Sequence, residues 1–133
     1  MWPDAVERIA SFLREANAQG QIEELPPDVD TPPGQGVQAA TFECDGRTLV
    51  ALVPDDGAVD RGRLARRGGC TDLRLTATRA FPFQGARVLV DRSLLLLPTV
   101  WLEAGSPRHV LGLAPGQLLR LTHAETGTFL VED

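Results

Sequence analysis

The stretch from residue 36 to residue 53, GVQAATFECDGRTLVALV, consists of two apolar runs separated by an Asp-Gly pair at positions 45 and 46. A two-residue β-hairpin turn prefers this pair because both of its central residues need positive φ. The sequence therefore predicts two antiparallel strands near the middle of the chain. Gln38 lies near the start of the first of them.

Three helices are predicted around this hairpin. Residues 4–7, DAVE, have the form of a capping box, and apolar residues then recur at helical spacing until Gly20 ends the segment. Asp60 is a suitable N-cap for the short basic helix RGRLARR, which the following Gly-Gly pair ends. Pro115 suits the first position of a third helix that continues through GQLLRLTHA.

Short apolar or alternating runs predict further strands. They are QIEEL at 21–25, TDLRLTA at 71–77, ARVLVD at 86–91, TVWLEAG at 99–105, VLGL at 110–113 and an edge strand in GTFLVED at 127–133. SLLLLP at 93–98 is predicted to be core or a buried strand, and AFPFQG at 80–85 to be a loop with two exposed aromatic side chains. Strands and helices interleave without a strict βαβ rhythm. The predicted class is therefore α/β or α+β, a compact mixed β-sheet with helices packed on it, in a single domain, 1–133.

The composition is that of a globular protein. Of the 133 residues, 43% are hydrophobic and 23% are charged. No apolar run approaches the roughly 20 residues that a membrane span needs. The N-terminal MWPDAVERIASF contains early acidic residues and no uninterrupted apolar core, so it is neither a signal peptide nor a transit peptide. The predicted location is the cytoplasm, without membrane association.

The cysteines and histidines do not have the spacing of a metal site. Cys44 and Cys70 lack the pattern of a disulfide or zinc framework and are predicted to be thiols. Because one precedes the hairpin turn and the other follows a Gly-Gly pair, a contact between them in space stays open. His109 and His123 are far apart and have no cysteine or carboxylate at ligand spacing, so no metal is expected.

Charge is distributed unevenly along a chain of net charge −5. Residues 1–60 carry a net charge of −9, residues 61–92 carry +6 and residues 93–133 carry −2. The basic middle third could bind phosphates, or its arginines could pair with the acidic N-terminal third. All thirteen basic residues are arginines and tyrosine is absent. A mechanism that needs a lysine amine or a tyrosine phenol is therefore excluded.

The segment AGSPRHV at 104–110 is the strongest local candidate for a functional site. A Gly-x-Pro turn after an apolar strand directs several backbone N–H groups the same way, and converging amides can hold a carbonyl oxygen or a developing oxyanion. Arg108 adds a charge, and His109 belongs to the residue type that titrates near neutrality. An ordinary turn between two strands is the alternative. Similarly, FPF at 81–83 could be the wall of a pocket or simply core.

A longer pattern extends from residue 88 to residue 125. Its distinctive parts are Val90-Asp91-Arg92 with Leu94, Val100-Trp101, Ala104-Gly105-Ser106-Pro107-Arg108 and Leu118-Leu119-Arg120-Leu121-Thr122. This pattern resembles the YbaK/EbsC family of aminoacyl-tRNA deacylases, which is related to the editing domain of bacterial prolyl-tRNA synthetase. The hairpin and the basic helix fit the middle of that family, and VERIASFLREA at 6–16 fits its first helix.

The resemblance implies a compact mixed α/β editing domain. Such proteins hydrolyse, in trans, the ester between a wrong amino acid and the terminal adenosine of a tRNA, without a metal, a cofactor or a covalent intermediate. The implied partner is the acceptor end of an aminoacyl-tRNA, and an aminoacyl-tRNA synthetase is a further candidate. The candidate residues are, for catalysis, Gln38, Gly105, Ser106 and His109; for substrate binding, Phe42, Phe81, Phe83, Pro107 and Arg108; and for tRNA binding, Arg61, Arg63, Arg66, Arg67 and Arg74.

Gln38 departs from the family pattern, V-K-(S/A)-L-V-F, in which a lysine at this position helps to hold the substrate. An amide can donate a hydrogen bond but lacks the charge, and removing one donor to an oxyanion typically costs about a hundredfold or more in rate. Arg108, or His109 acting as a general base, could supply part of the loss. Whether the chain is an enzyme stays open. The hypotheses are a working deacylase, a module that binds an aminoacyl ester, a nucleotide or a tRNA end without hydrolysis, and an interaction domain.

Overall fold

A computed structural model describes residues 2–132 of the chain. These residues form three α-helices, one 3-10 helix and eight β-strands. The helices are α1, Asp4–Glu15, α2, Arg61–Gly68, and α3, Pro115–Thr122, and the 3-10 helix is Arg92–Leu96. The strands are β1, Gly20–Glu24, β2, Val37–Cys44, β3, Arg47–Pro54, β4, Leu73–Leu75, β5, Arg87–Asp91, β6, Val100–Ser106, β7, His109–Leu113, and β8, Glu125–Gly127.

The strands are arranged in two sheets. The larger has the order β4-β2-β3-β5-β8 and is mixed, since β2 is antiparallel to β3 and β4 whereas β5 is parallel to β3 and β8. The smaller has the order β1-β7-β6 and is antiparallel throughout. The predicted mixed class is confirmed, with two sheets in place of one.

The hairpin that the Asp-Gly pair predicts is present. Cys44 pairs with Arg47, and the two turn residues, Asp45 and Gly46, have φ values of 50° and 85°. These positive angles match a turn whose twist follows that of the strands. The register then places Gln38 opposite Val53, one residue before the end of β3.

The predictions for the helix ends are right for two helices and wrong for one. The Asp60 carboxylate accepts a hydrogen bond from the Arg63 amide at the start of α2, and Pro115 begins α3. In α1 the N-cap is Pro3 and no side chain caps the helix, because the acidic residue of the expected capping box is already helical. The helix ends at residue 15, before Asn17 with a φ of 52°, rather than at the later glycine.

Two apolar clusters lie on opposite faces of the larger sheet. One includes side chains from α1, α3 and both sheets, and the other lies between the larger sheet and α2 and includes Leu64 and Phe129. The strand β2 contributes to both, because successive side chains point to opposite faces. Val37 and Ala39 belong to the first cluster, whereas Phe42 belongs to the second.

Several apolar segments differ from their predictions. The leucine run at 93–98 forms the 3-10 helix in place of a buried strand, and within it Leu94 is buried whereas Leu96 is 86% exposed. The strand predicted at 71–77 is shorter and consists of β4, Leu73–Leu75. The last edge strand is β8, Glu125–Gly127, which ends at the residue where the predicted strand at 127–133 would begin. The aromatic side chains of the 80–85 loop are buried, not exposed.

Cys44 and Cys70 form a disulfide, so the prediction of free thiols is wrong. Their Cα atoms are 5.3 Å apart, within the usual range for such a bond. It joins the end of β2 to the residue after the left-handed Gly69 that ends α2. The disulfide therefore fixes the basic helix to the central hairpin.

Among residues 2–132, none of the helices has both the length and the apolar character needed to cross a membrane.

Candidate ligand pocket

A pocket of about 540 Å³ lies where β2 of the larger sheet meets β6 and β7 of the smaller one. This volume is within the range of small-molecule sites, roughly 300–1,000 Å³. The apolar part of its lining includes Val37, Ala39, Phe81, Phe83, Trp101 and Leu102. The predicted site residues Gln38, Phe81, Phe83, Gly105, Pro107 and His109 all line it, whereas Phe42, Ser106 and Arg108 do not.

The irregular end of β6 brings the backbone of Gly105 against the first helix. This glycine has a φ of 90°, and a Cβ atom there would lie 2.9 Å from the carbonyl carbon of Ala5. Both the backbone angle and the close approach require glycine. The β6–β7 pairing is also irregular between Glu103 and Ser106. The tight turn therefore fixes the position of the pocket wall relative to α1.

Ser106 and His109 form a hydrogen-bonded pair. The Ser106 hydroxyl lies 2.8 Å from Nδ1 of the imidazole, and it accepts a hydrogen bond of 2.9 Å from the Arg108 amide. Because Pro107 has no N–H and the Arg108 amide donates to the Ser106 hydroxyl, neither residue has an amide left for a ligand. The turn offers fewer donors than the sequence alone indicates.

The imidazole of His109 is 7% exposed, and its Nε2 has no hydrogen-bond partner among residues 2–132. The Oε1 atom of Glu24 lies 3.8 Å from this nitrogen, because the β1–β7 register places the two residues directly opposite each other. Trp2 packs edge-on against the imidazole, with ring centroids 5.9 Å apart. Ser106 and His109 were predicted site residues, but Glu24 was missed, since its contact depends on pairing between strands about 85 residues apart in the chain.

The side-chain amide of Gln38 is already engaged. Its nitrogen donates to the carbonyl oxygens of Gly57 at 2.9 Å and Pro54 at 3.4 Å. Both acceptors lie at the end of β3 and in the turn that follows. Gln38 therefore holds this turn against β2, and its amide nitrogen is engaged by backbone oxygens.

Arg108 also binds the protein itself. Its guanidinium lies 3.3 Å from the Asp30 carboxylate and donates to the backbone oxygens of Leu25 and Pro26. These contacts fix the loop between β1 and β2, which contributes to one end of the pocket. The side chain that was predicted to contact the substrate therefore shapes the pocket from outside.

Phe42 lies on the other face of β2, away from the pocket. It is 3% exposed, belongs to the cluster under α2, and has the Arg61 guanidinium 5.5 Å from its ring centroid. The alternation of side chains along the strand explains the difference from the prediction, since the residue is an odd number of positions from Val37 and Ala39.

The charged part of the pocket lining is mainly acidic. It contains the carboxylates of Asp30, Asp55 and Glu103, and one guanidinium, that of Arg79. The guanidinium donates to the Gln84 carbonyl at 2.9 Å. Burial, with a smaller contribution from the neighbouring Asp56, raises the pKa of the Asp55 carboxyl above its ordinary value of 3.8. None of these four lining residues was a sequence candidate, because they belong to loops and to a strand end that the pocket brings together.

The predicted tRNA-binding arginines lie in or near α2, on the side of the sheet away from the pocket. Arg63 pairs with Asp60 and Glu132, and Arg67 with Glu125. Arg61 donates to the Leu73 carbonyl and Arg74 pairs with Asp72. Among residues 2–132, Arg66 alone of the five makes neither an ion pair nor a side-chain hydrogen bond. Most of their acidic partners come from the C-terminal segment and adjacent turns, not from the N-terminal third.

Solved structures with the same arrangement include a protein proposed to be a trans-editing enzyme for prolyl-tRNA synthetase. The two chains superpose with a TM-score of 0.84 at 23% identity, over 99% of this chain and 100% of the other. This chain has the YbaK-like fold. The fold expected from the 88–125 pattern is thereby confirmed. No protein-family model and no curated protein sequence matches the chain.

Two other solved structures with this fold show how widely it is used. A scaffold protein designed to present linear epitopes matches with a TM-score of 0.85 at 21% identity, over 99% of this chain and 100% of the scaffold. A proposed signal-transduction protein from Marinobacter aquaeolei VT8 matches with a TM-score of 0.74 at 21% identity, over 99% of this chain and 31% of its own. The YbaK-like fold therefore does not by itself define an activity.

Proposed function

We propose that this chain is a trans-acting aminoacyl-tRNA deacylase, which hydrolyses the ester of a mischarged tRNA. The observation that carries the proposal is the pocket of about 540 Å³ bordered by Gly105, Pro107 and His109. Its volume suits an esterified amino acid, and its lining combines apolar walls with a few polar groups, as small-ligand sites do. The YbaK-like fold, shared with a protein proposed to be a trans-editing enzyme, supports the same activity.

In the proposed reaction, water adds to the carbonyl carbon of the ester. Its proton passes to the imidazole of His109, which lines the pocket and accepts it as a general base, while the Ser106 hydroxyl on Nδ1 orients the ring. The amide of Gly105, a residue that lines the pocket, donates to the developing oxyanion. The C–O bond to the ribose then breaks, the ribose hydroxyl leaves with a proton, and the free amino acid is released. Glu24, close to Nε2, stabilises the charged imidazolium.

The proposed partner is the acceptor end of an aminoacyl-tRNA, with an aminoacyl-tRNA synthetase as a further candidate and the cytoplasm as the location. Arg79 at the pocket is the nearest candidate contact for the terminal phosphates. The arginines of α2, with Arg74, provide a second basic surface for the body of the tRNA, although several already hold acidic partners.

The experiment that tests the proposal is release of free amino acid from a panel of mischarged tRNAs. We expect release from at least one tRNA, and a rate about a hundredfold or more lower for His109→Gln. His123→Asn is the matched control, because this histidine ends α3 in a left-handed conformation that asparagine tolerates, and it does not line the pocket. No release by the wild-type protein, or an equal loss in the control variant, would overturn the proposal.

A second candidate function is binding of the aminoacyl ester without hydrolysis. The observation that favours it is the hydrogen bonding of Gln38, whose amide nitrogen is occupied by the turn after β3. The family's lysine therefore has no direct replacement as a charged group at this position. If the wild-type protein releases no amino acid but Gln38→Lys does, the chain is a binding protein that lost the reaction. Rapid release by the wild-type protein would exclude this alternative.

A further inference from the structure

The carboxylate of Asp55 occupies space that is open only because residue 36 is a glycine. Its backbone N–H donates to the Gly36 carbonyl at 2.9 Å, and its carboxylate lies directly over the same glycine. A Cβ atom on Gly36 would lie 2.8 Å from the carboxylate carbon and closer still to one of its oxygens. Any side chain at residue 36 would therefore displace the carboxylate from the pocket that it lines.

This carboxylate has no cationic partner within residues 2–132. Of the acidic residues that line the pocket, Asp30 is paired with Arg108, whereas Asp55 and Glu103 make no ion pair. The guanidinium of Arg79 is directed to the Gln84 carbonyl and to Thr48. A carboxylate that lines a pocket and lacks a counter-charge favours a cationic ligand.

A second feature of the same wall indicates a polar ligand. The side chain of His109 is 7% exposed and lines the pocket, yet its Nε2 atom makes no hydrogen bond. Buried polar atoms without partners are rare in folded proteins. The pocket thus combines an unpaired carboxylate with an incompletely satisfied imidazole, between apolar walls.

We propose that Asp55 binds the α-ammonium group of the esterified amino acid, so that the pocket accepts free aminoacyl esters and rejects α-hydroxyacyl and N-acylated ones. The inference rests on the proposed function for the identity of the ligand, and it assigns the specificity to one carboxylate. It also explains how the pocket holds its ligand without the lysine expected at Gln38: the charge-assisted contact is made to the amino group, not to the carbonyl oxygen.

The test measures binding, so that it does not depend on hydrolysis. The probes are 3′-amino-3′-deoxyadenosines whose 3′-amino group forms an amide with alanine, valine or phenylalanine. Each probe is compared with its α-hydroxyacyl and N-acetyl counterparts. We expect the wild-type protein to bind at least one aminoacyl probe about tenfold more tightly than its counterparts, as one charge-assisted hydrogen bond predicts. Asp55→Asn should abolish this preference.

Two further variants test whether the preference depends on the position of the Asp55 carboxylate or only on negative charge nearby. Asp56→Asn removes a charge from the next residue, which does not line the pocket, and should leave the preference unchanged. Gly36→Ala should reduce the preference although Asp55 is still present, because the new methyl group displaces its carboxylate. Circular dichroism checks that each variant is folded.

The outcomes distinguish this inference from the proposed function. Equal binding of the aminoacyl and α-hydroxyacyl probes, no binding of any probe, or a preference that survives Asp55→Asn would overturn the role of Asp55. Hydrolysis of mischarged tRNA could still occur in each of those cases. Conversely, a preference that depends on Asp55 without any hydrolysis would support this inference and overturn the deacylase.

Discussion

The two faces of the larger sheet use their charged groups in different ways. On the face with α2, most arginines are paired with acids or donate to backbone oxygens, and a disulfide fastens the helix to the hairpin. On the face toward the smaller sheet, the part of the chain that the structure describes leaves the Asp55 carboxylate of the pocket without an ion-pair partner and one buried imidazole nitrogen without a hydrogen-bond partner. Satisfied polar groups stabilise a fold, whereas unsatisfied ones remain available to a ligand. We therefore attribute stability mainly to the face with α2 and propose that the face toward the smaller sheet binds the ligand.

The largest expected effect comes from the disulfide. Reduction, or the double change of Cys44 and Cys70 to serine, should lower the free energy of unfolding by about 3 to 4 kcal/mol, because the bond closes a loop with a sequence separation of 26. Urea denaturation with and without reductant measures the difference. Binding of the aminoacyl probes by the folded variant should stay as in the wild type. A large loss of affinity at unchanged stability would contradict the assignment of stability to the α2 face.

An intermediate effect is expected from arginines on the two faces. Arg79→Ala should weaken binding of a tRNA acceptor-stem RNA by about tenfold, because its guanidinium borders the pocket. Arg66→Ala on α2 is the matched control and should weaken binding by less than about threefold, as one exposed phosphate contact would. Both affinities are measured by fluorescence anisotropy at two salt concentrations. A larger loss from Arg66→Ala would reverse the comparison and make α2 the principal RNA surface.

The smallest expected effect is a pH dependence on the α2 face. Hydrogen bonds from the backbone of Thr71 and Asp72 lower the pKa of the Asp45 carboxyl below its ordinary value of 3.8. A carboxyl with a depressed pKa stabilises the folded state above its unfolded pKa, and this stabilisation is lost as the pH falls through the folded value. Asp45→Asn should therefore be less stable than the wild type at pH 7, with the difference decreasing in strong acid.

Urea midpoints from pH 7 to pH 2 measure this difference. Asparagine tolerates the positive φ of the turn, so the substitution isolates the carboxylate. The paired Glu125 and Glu132, whose pKa values are also lowered, titrate in both proteins and cancel in the comparison. Identical midpoints at every pH would show that Asp45 does not hold the 71–72 loop.

Local sequence patterns predicted the elements that depend on neighbouring residues. The Asp-Gly hairpin, the Asp60 cap and the proline at the start of α3 all follow from contacts within a few positions of the chain. The pattern at 88–125 also predicted the YbaK-like fold, which the structural comparison confirms. Six of the nine residues predicted for catalysis or substrate binding line the pocket, although their roles stay predictions.

The wrong predictions concern segments whose local sequence is compatible with two different structures. The leucine run at 93–98 was compatible with a buried strand, but the chain has to turn between β5 and β6, which leaves Leu96 exposed. Phe42 and Gln38 both fit a strand, and only the position of the sheet between two apolar layers determines which partners each side chain meets. Local propensity is the same for either face of a strand.

By itself, the sequence determined where the central hairpin turns, where α2 and α3 begin and that a glycine turn follows an apolar strand, because those features have energies set by adjacent residues. Only the tertiary structure decided that Cys70 meets Cys44, that Glu24 faces His109 and that Asp55 borders a pocket. Each of these contacts joins residues far apart in the chain, and strand register and packing, rather than local preference, bring them within reach.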